Sequence, residues 1–120
     1  MNINLNEWIN TFVEAWLNMD INAIKVVFSE CEAYYESPFC EAVTGADEIE
    51  SLWLDIVHQK DINLVVEAIA QEDNKAALHW YLKYRDDRDE NVYEMDGTYE
   101  VAFNDNGKCC YFKQWWVMKE

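Results

Sequence analysis

The side chains able to do acid–base, nucleophilic or metal chemistry are few in this chain, and their spacing scatters them. Histidine occurs at His58 and His79. Two histidines facing one pocket could relay protons to a substrate. Here His58 falls late in a helical pattern and His79 on the outward side of a strand, so a pair is not expected. The four cysteines are Cys31, Cys40, Cys109 and Cys110, with no CxxC spacing. With only two histidines beside them, a zinc site is not expected, nor any other metal or cofactor. Cys109 and Cys110 are neighbours on a strand pattern and point to opposite faces, which argues against a bridge between them. The only arginines, Arg85 and Arg88, lie in the charged run RDDRDE, which is expected to be a solvated loop. There is no Ser-His-Asp arrangement and no P-loop. Three glycines leave no room for a nucleotide-binding fingerprint.

Aromatic surface is the abundant resource instead. Six Trp, seven Tyr and five Phe exceed what a minimal core of 120 residues requires. Excess of this kind lines ligand cavities or oligomer interfaces. The length favours one domain over residues 1–120. The net charge of −15, from 24 acidic against nine basic residues, repels phosphate backbones and anionic lipid. Neither a nucleic-acid partner nor a membrane partner is expected. The start MNINLNEW lacks a basic segment followed by an apolar run. No apolar stretch reaches spanning length. Reduced cysteines in the cytoplasm are the expectation.

The elements that would position these residues follow from periodicity. Residues 4–18 carry Leu5, Trp8, Ile9, Phe12, Val13 and Trp16 at helical spacing, with Asn6 or Asn4 as cap. A second helix spans 20–28 behind Asp20. Residues 31–37 have strand character, stopped by Pro38. A third helix is expected over 47–60, with Ile49, Leu52, Trp53, Ile56 and Val57 on one face and Thr44 or Asp47 as cap. Strands are expected over 63–70, 75–84, 92–103 and 108–118, the last two joined by a turn at Asn106-Gly107. Helices first and long antiparallel strands later argue an α+β fold, helices on one face of a curved sheet.

Alternation sorts the strand faces. Ala76, Leu78, Trp80, Leu82 and Tyr84 form one inward set. Tyr93, Met95, Gly97, Tyr99, Val101 and Phe103 form another. Cys110, Phe112, Gln114, Trp116 and Met118 form the third, with Cys109 outward. On the outside, His79, Tyr81, Tyr111, Trp115 and Val117 make an aromatic patch, which points to a homodimer through that face.

The element order, with Phe12-Val13-Glu14-Ala15-Trp16, Tyr34-Tyr35-Glu36-Ser37-Pro38-Phe39, Gly45-Ala46-Asp47-Glu48-Ile49 with Trp53, Met95-Asp96-Gly97-Thr98-Tyr99 and Phe112-Lys113-Gln114-Trp115-Trp116, resembles the SnoaL-like branch of the nuclear transport factor 2-like superfamily. The resemblance spans essentially the whole chain. It implies a cystatin-like cone: three N-terminal helices on a curved antiparallel sheet, with a pocket at the wide end. It implies a pocket wall of Phe12, Trp16, Tyr35, Phe39, Trp53, Trp80, Met95, Tyr99, Phe112, Gln114 and Trp116. By the same resemblance, ketosteroid isomerase-like members need a carboxylate base near the end of the first strand and two donors for an enolate oxygen. Counting from Phe28, the base position is Glu36; counting from Pro38, it is Ser37. The donor positions are Phe12, which cannot donate, and Tyr99, which can. The catalytic set is therefore incomplete. Three functions follow: binding of a small apolar or aromatic molecule, an isomerase or cyclase with Glu36 as general base, or a non-catalytic protein-interaction domain.

Overall fold

The computed structural model describes residues 4–120; residues 1–3, the beginning of the stretch read for a leader, lie outside them. Helix α1 (Leu5–Leu17) is capped by Asn4, whose side-chain oxygen accepts the Glu7 N–H at 3.1 Å. It buries Leu5, Ile9, Phe12, Ala15 and Trp16. Helix α2 (Ile21–Val27) is capped by Asp20, which accepts from the Ala23 N–H at 3.0 Å. Both caps satisfy N–H groups that a helix start leaves without partners.

Strand β1 (Ala33–Tyr35) is shorter than the expected 31–37. Helix α3 (Ala46–Trp53) stops well before residue 60 and tightens into a 3-10 turn, Leu54–His58. The apolar stripe through Ile56 continues, so periodicity gave no sign of the change. The tighter turn keeps Ile56 buried while swinging the chain into the sheet. Neither expected cap serves α3. The Thr44 hydroxyl donates to the Glu32 carbonyl at 2.9 Å, and Asp47 pairs with Lys25 at 2.6 Å. Gly45 takes the cap position at φ 100°, a conformation that favours glycine.

Strands β2 (Gln59–Glu72), β3 (Lys75–Asp86), β4 (Val92–Phe103) and β5 (Cys109–Met118) follow. The sheet order is β1-β5-β4-β3-β2. The four long strands are antiparallel, and β1 joins β5 in parallel. Register shifts in β2, after Lys60 and after Ala68, bend it. The helices fill the concave side, so the fold is α+β with a curved sheet, as the element order implies.

The inward sets of β3 and β4 stand: Leu78, Trp80, Leu82, Tyr99, Val101 and Phe103 are buried. Their centre is Phe12. Its ring lies within 6.1 Å, centre to centre, of Trp16, Phe28, Trp53, Tyr99 and Phe112. One assignment reverses. Cys109 is wholly buried and Cys110 half-buried. Phe103 pairs with Cys109 while Ala102 pairs with Tyr111, so a bulge at Cys110 inverts the alternation before Tyr111.

Candidate functional site

A cavity of about 280 Å³ opens where the C-terminal ends of α1 and α3 meet the sheet. Trp16 comes from α1, Leu52 and Trp53 from α3, Asp55 and Ile56 from the 3-10 turn, and Gln59 from the start of β2. The sheet supplies Tyr34, Trp80, Leu82, Met95, Gln114 and Trp116, and Glu36 lies just beyond β1. The break in the third helix is what places Gln59 here. It accepts the Trp16 indole N–H at 2.7 Å and ties the end of α1 to the sheet.

Around the cavity some polar atoms are paired and others are buried without a partner. The Trp116 indole N–H donates to the Glu36 carbonyl at 3.1 Å, anchoring the chain beyond β1. The Gln114 amide donates to the Tyr34 hydroxyl at 3.2 Å. Three atoms are buried without a partner: Glu36 Oε2, Trp53 Nε1 and Trp80 Nε1. Burial raises the Glu36 carboxyl above the ordinary glutamate range, and the nearby Tyr34 hydroxyl works against that rise. Tyr34 and Tyr99 are themselves pushed well up, first by burial and next by the Glu36 charge. The Trp53 N–H lies near the Tyr34 hydroxyl without meeting hydrogen-bond geometry.

One glycine shapes the floor. A Cβ on Gly97 would collide with the Trp115 carbonyl oxygen and stand 2.8 Å from Trp80 Nε1 and 2.9 Å from Trp116 Cβ. Only a bare backbone lets β4 pass between these tryptophans.

Of the residues expected in the wall, Trp16, Trp53, Trp80, Met95, Gln114 and Trp116 line the cavity. Phe12, Tyr99 and Phe112 do not: all three are packed into the solid core beneath it. Phe12 thus fills space that would otherwise deepen the pocket. Tyr99 stacks on Trp80 at 5.1 Å and 4°, under the floor but close enough to feel Glu36. Tyr35 faces outward, against Tyr111 and beneath the Lys113 ammonium. Its neighbour Tyr34 takes the inward place, because β1 alternates strictly and the expected register was one residue out. Phe39 is fully exposed, since the chain leaves the sheet after Tyr35 and turns from Ser37 to Cys40. Ser37, the other base position, bonds Cys40 at 3.0 Å in that exposed turn; Glu36 is the carboxylate at the cavity.

Sequence reasoning missed Tyr34, Leu52, Asp55, Ile56, Gln59 and Leu82 as lining residues. Leu82, Leu52 and Ile56 already stood in apolar sets, and Tyr34 followed from alternation with Tyr35. Asp55 and Gln59 had no signal, because both depend on where α3 ends.

The histidines do not converge. His58 bonds Asp87 at 2.8 Å. His79 sits on the outer face between Glu67 at 2.9 Å and Asp96 at 3.1 Å, and these hydrogen bonds, that from Asp96 foremost, raise its pKa. Arg85 pairs with Asp61 and Glu90, and Arg88 with Asp86 and Asp55, so the RDDRDE loop is tied rather than free. Neither arginine lines the cavity.

Residues 9–112 match the model of the SnoaL-like domain, and the chain belongs to that family. No curated protein matches it by sequence. Among solved structures, a Mycobacterium tuberculosis protein, Rv0760c, in complex with estradiol-17beta-hemisuccinate is similar at a TM-score of 0.79 and 10% identity, over 94% of this chain and 95% of that one. The delta 5-3-ketosteroid isomerase of a Mycobacterium species is similar at 0.78 and 11%, over 94% and 95%. The epoxide hydrolase/cyclase-like enzyme SalBIII, with a role in pyran ring formation in the polyether salinomycin, is similar at 0.74 and 12%, over 95% and 93%. At these identities the likeness carries the fold, which isomerases, cyclases and binders share. Among the described residues no helix is long and apolar enough to cross a membrane.

Proposed function

We propose that the cavity binds a small molecule with an apolar or aromatic body, oriented by Glu36, Gln114 and Tyr34. The observation that carries this reading is a cavity walled by four tryptophans and Tyr34, with Glu36, Gln59 and Gln114 as polar groups in its lining. Aromatic walls with a few convergent polar groups are the usual make-up of a small-molecule site. The volume of about 280 Å³ falls just below the roughly 300–1,000 Å³ of common ligand sites, so a compact ligand fits. The test is a titration of planar aromatic probes followed by tryptophan fluorescence. Met95→Trp, which fills the cavity, should abolish saturable quenching; unchanged quenching would exclude this site.

A second reading is an isomerase or cyclase using Glu36 as general base. Its support is the position of the carboxylate: in the cavity lining, raised in pKa, with the Tyr34 hydroxyl nearby. Glu36→Gln should remove any deuterium exchange observed next to a ketone. Exchange at the wild-type rate would exclude Glu36 as the base.

The outer face supports a homodimer. Trp115 and Val117 are exposed beside His79, Tyr81 and Tyr111, and Ala77 and Ala102 leave a shallow trough next to Tyr111. Trp115→Glu should yield monomers in sedimentation equilibrium; an intact dimer would exclude this face. Four free thiols support a reducing, cytoplasmic setting.

A further inference from the structure

The charge of the cavity narrows the class of ligand. Among the described residues, no Lys, Arg or His lines it. Its two charged groups are both acidic. Asp55, at the rim, is engaged by Arg88 at 3.1 Å. Glu36, inside, has a buried oxygen with no partner. A carboxylate partly withdrawn from water favours a proton or a counter-charge. The walls suit the second remedy. Four indoles (Trp16, Trp53, Trp80, Trp116) and the Tyr34 phenol surround it, and tryptophan offers the best ring face for a cation. The net charge of −15 raises the local concentration of cations around the molecule.

We propose that the cavity takes an organic cation: an ammonium-type group on a compact apolar body, its charge against Glu36 inside the aromatic walls. This rests on the small-molecule reading above and adds the sign of the ligand's charge. A neutral ligand would leave Glu36 uncompensated, and an anion would face it directly.

The test compares two probes of the same shape by isothermal titration calorimetry. Phenyltrimethylammonium carries a fixed charge, and tert-butylbenzene is its neutral isostere. In mildly alkaline buffer with added salt, the cation should bind the wild-type protein about tenfold or more tighter than the isostere. In Glu36→Gln that ratio should fall toward one. Met95→Trp should lose the cation, because the space is filled. Equal or tighter binding of the isostere to the wild type would overturn the cation assignment and leave the apolar-ligand reading standing. Cation binding that survives Met95→Trp would also overturn it, since the attraction would then lie elsewhere on this acidic surface. Failure of both probes would count against the small-molecule reading as well as the cation.

Discussion

The two faces of the sheet each hold a glutamate beside a tyrosine, and they treat the pair in opposite ways. On the outer face the Tyr81 hydroxyl donates to Glu94 at 2.7 Å, and this bond lowers the Glu94 pKa. On the cavity side Tyr34 neighbours Glu36, but burial outweighs its help and the Glu36 pKa rises. The outer face continues in the same manner. His79 bridges Glu67 and Asp96, and Lys113 lies over the rings of Tyr35 and Trp115. Beside the cavity, instead, an oxygen and two indole N–H groups are buried without a partner. Polar groups that only maintain a fold are paired. Those held open at a cost to stability are held for something else.

The largest effect should come from the core beneath the cavity. Phe12→Ala removes the ring on which Trp16, Trp53 and Tyr99 pack, and should cost about 3–5 kcal/mol in chemical denaturation. A cost under ~1 kcal/mol would mean that the interior collapses onto the gap, and that Phe12 is not its keystone. Next is Gly97→Ala, which drives a methyl into the Trp115 carbonyl and the Trp80 indole. It should cost about 1–3 kcal/mol and reshape the cavity floor, visible as a changed tryptophan emission spectrum.

Glu36→Gln should act in the other direction and raise stability at neutral pH by ~1–2 kcal/mol, since an unpaired buried charge is removed. The sign follows from linkage. The native state holds the Glu36 proton more tightly than the unfolded chain does. Wild-type stability therefore falls as pH rises from the unfolded pKa, about 4.3, through the raised native one. The advantage of Gln should be complete above that window and absent below it, as read from melting curves against pH. An advantage that persists in acid would place its cause in packing rather than charge. The smallest effect belongs to the outer face: Tyr81→Phe should cost about 1 kcal/mol, because the hydrogen bond it removes is only part-buried and water can reach the Glu94 carboxylate.

The sequence made the frame legible where local chemistry decides it. Asn4 and Asp20 are helix caps by side-chain type, and Leu78, Trp80, Leu82, Tyr99 and Val101 follow from a period of two. It was misleading where tertiary packing decides. The bulge that turns Cys109 inward and the tightening of α3 at Leu54 leave no trace in apolar spacing. The site inherits both kinds. Trp16, Trp80, Gln114 and Trp116 were readable as inward residues, and Glu36 came through the family resemblance. Tyr34 was displaced by one residue, Phe39 by a strand that ends early, and Gln59 was hidden by a helix that does not continue.

A carbon-13 NMR titration of the glutamate side-chain carboxyls, comparing Glu36 with Glu94, tests most directly whether the two faces of the sheet treat their carboxylates in opposite ways. Glu36 should titrate above the ordinary glutamate value and Glu94 below it, and only Glu36 should move when a probe fills the cavity. An ordinary or lowered Glu36, unmoved by any probe, would mean that its carboxylate is already satisfied. The cavity would then hold no open position for a ligand to complete.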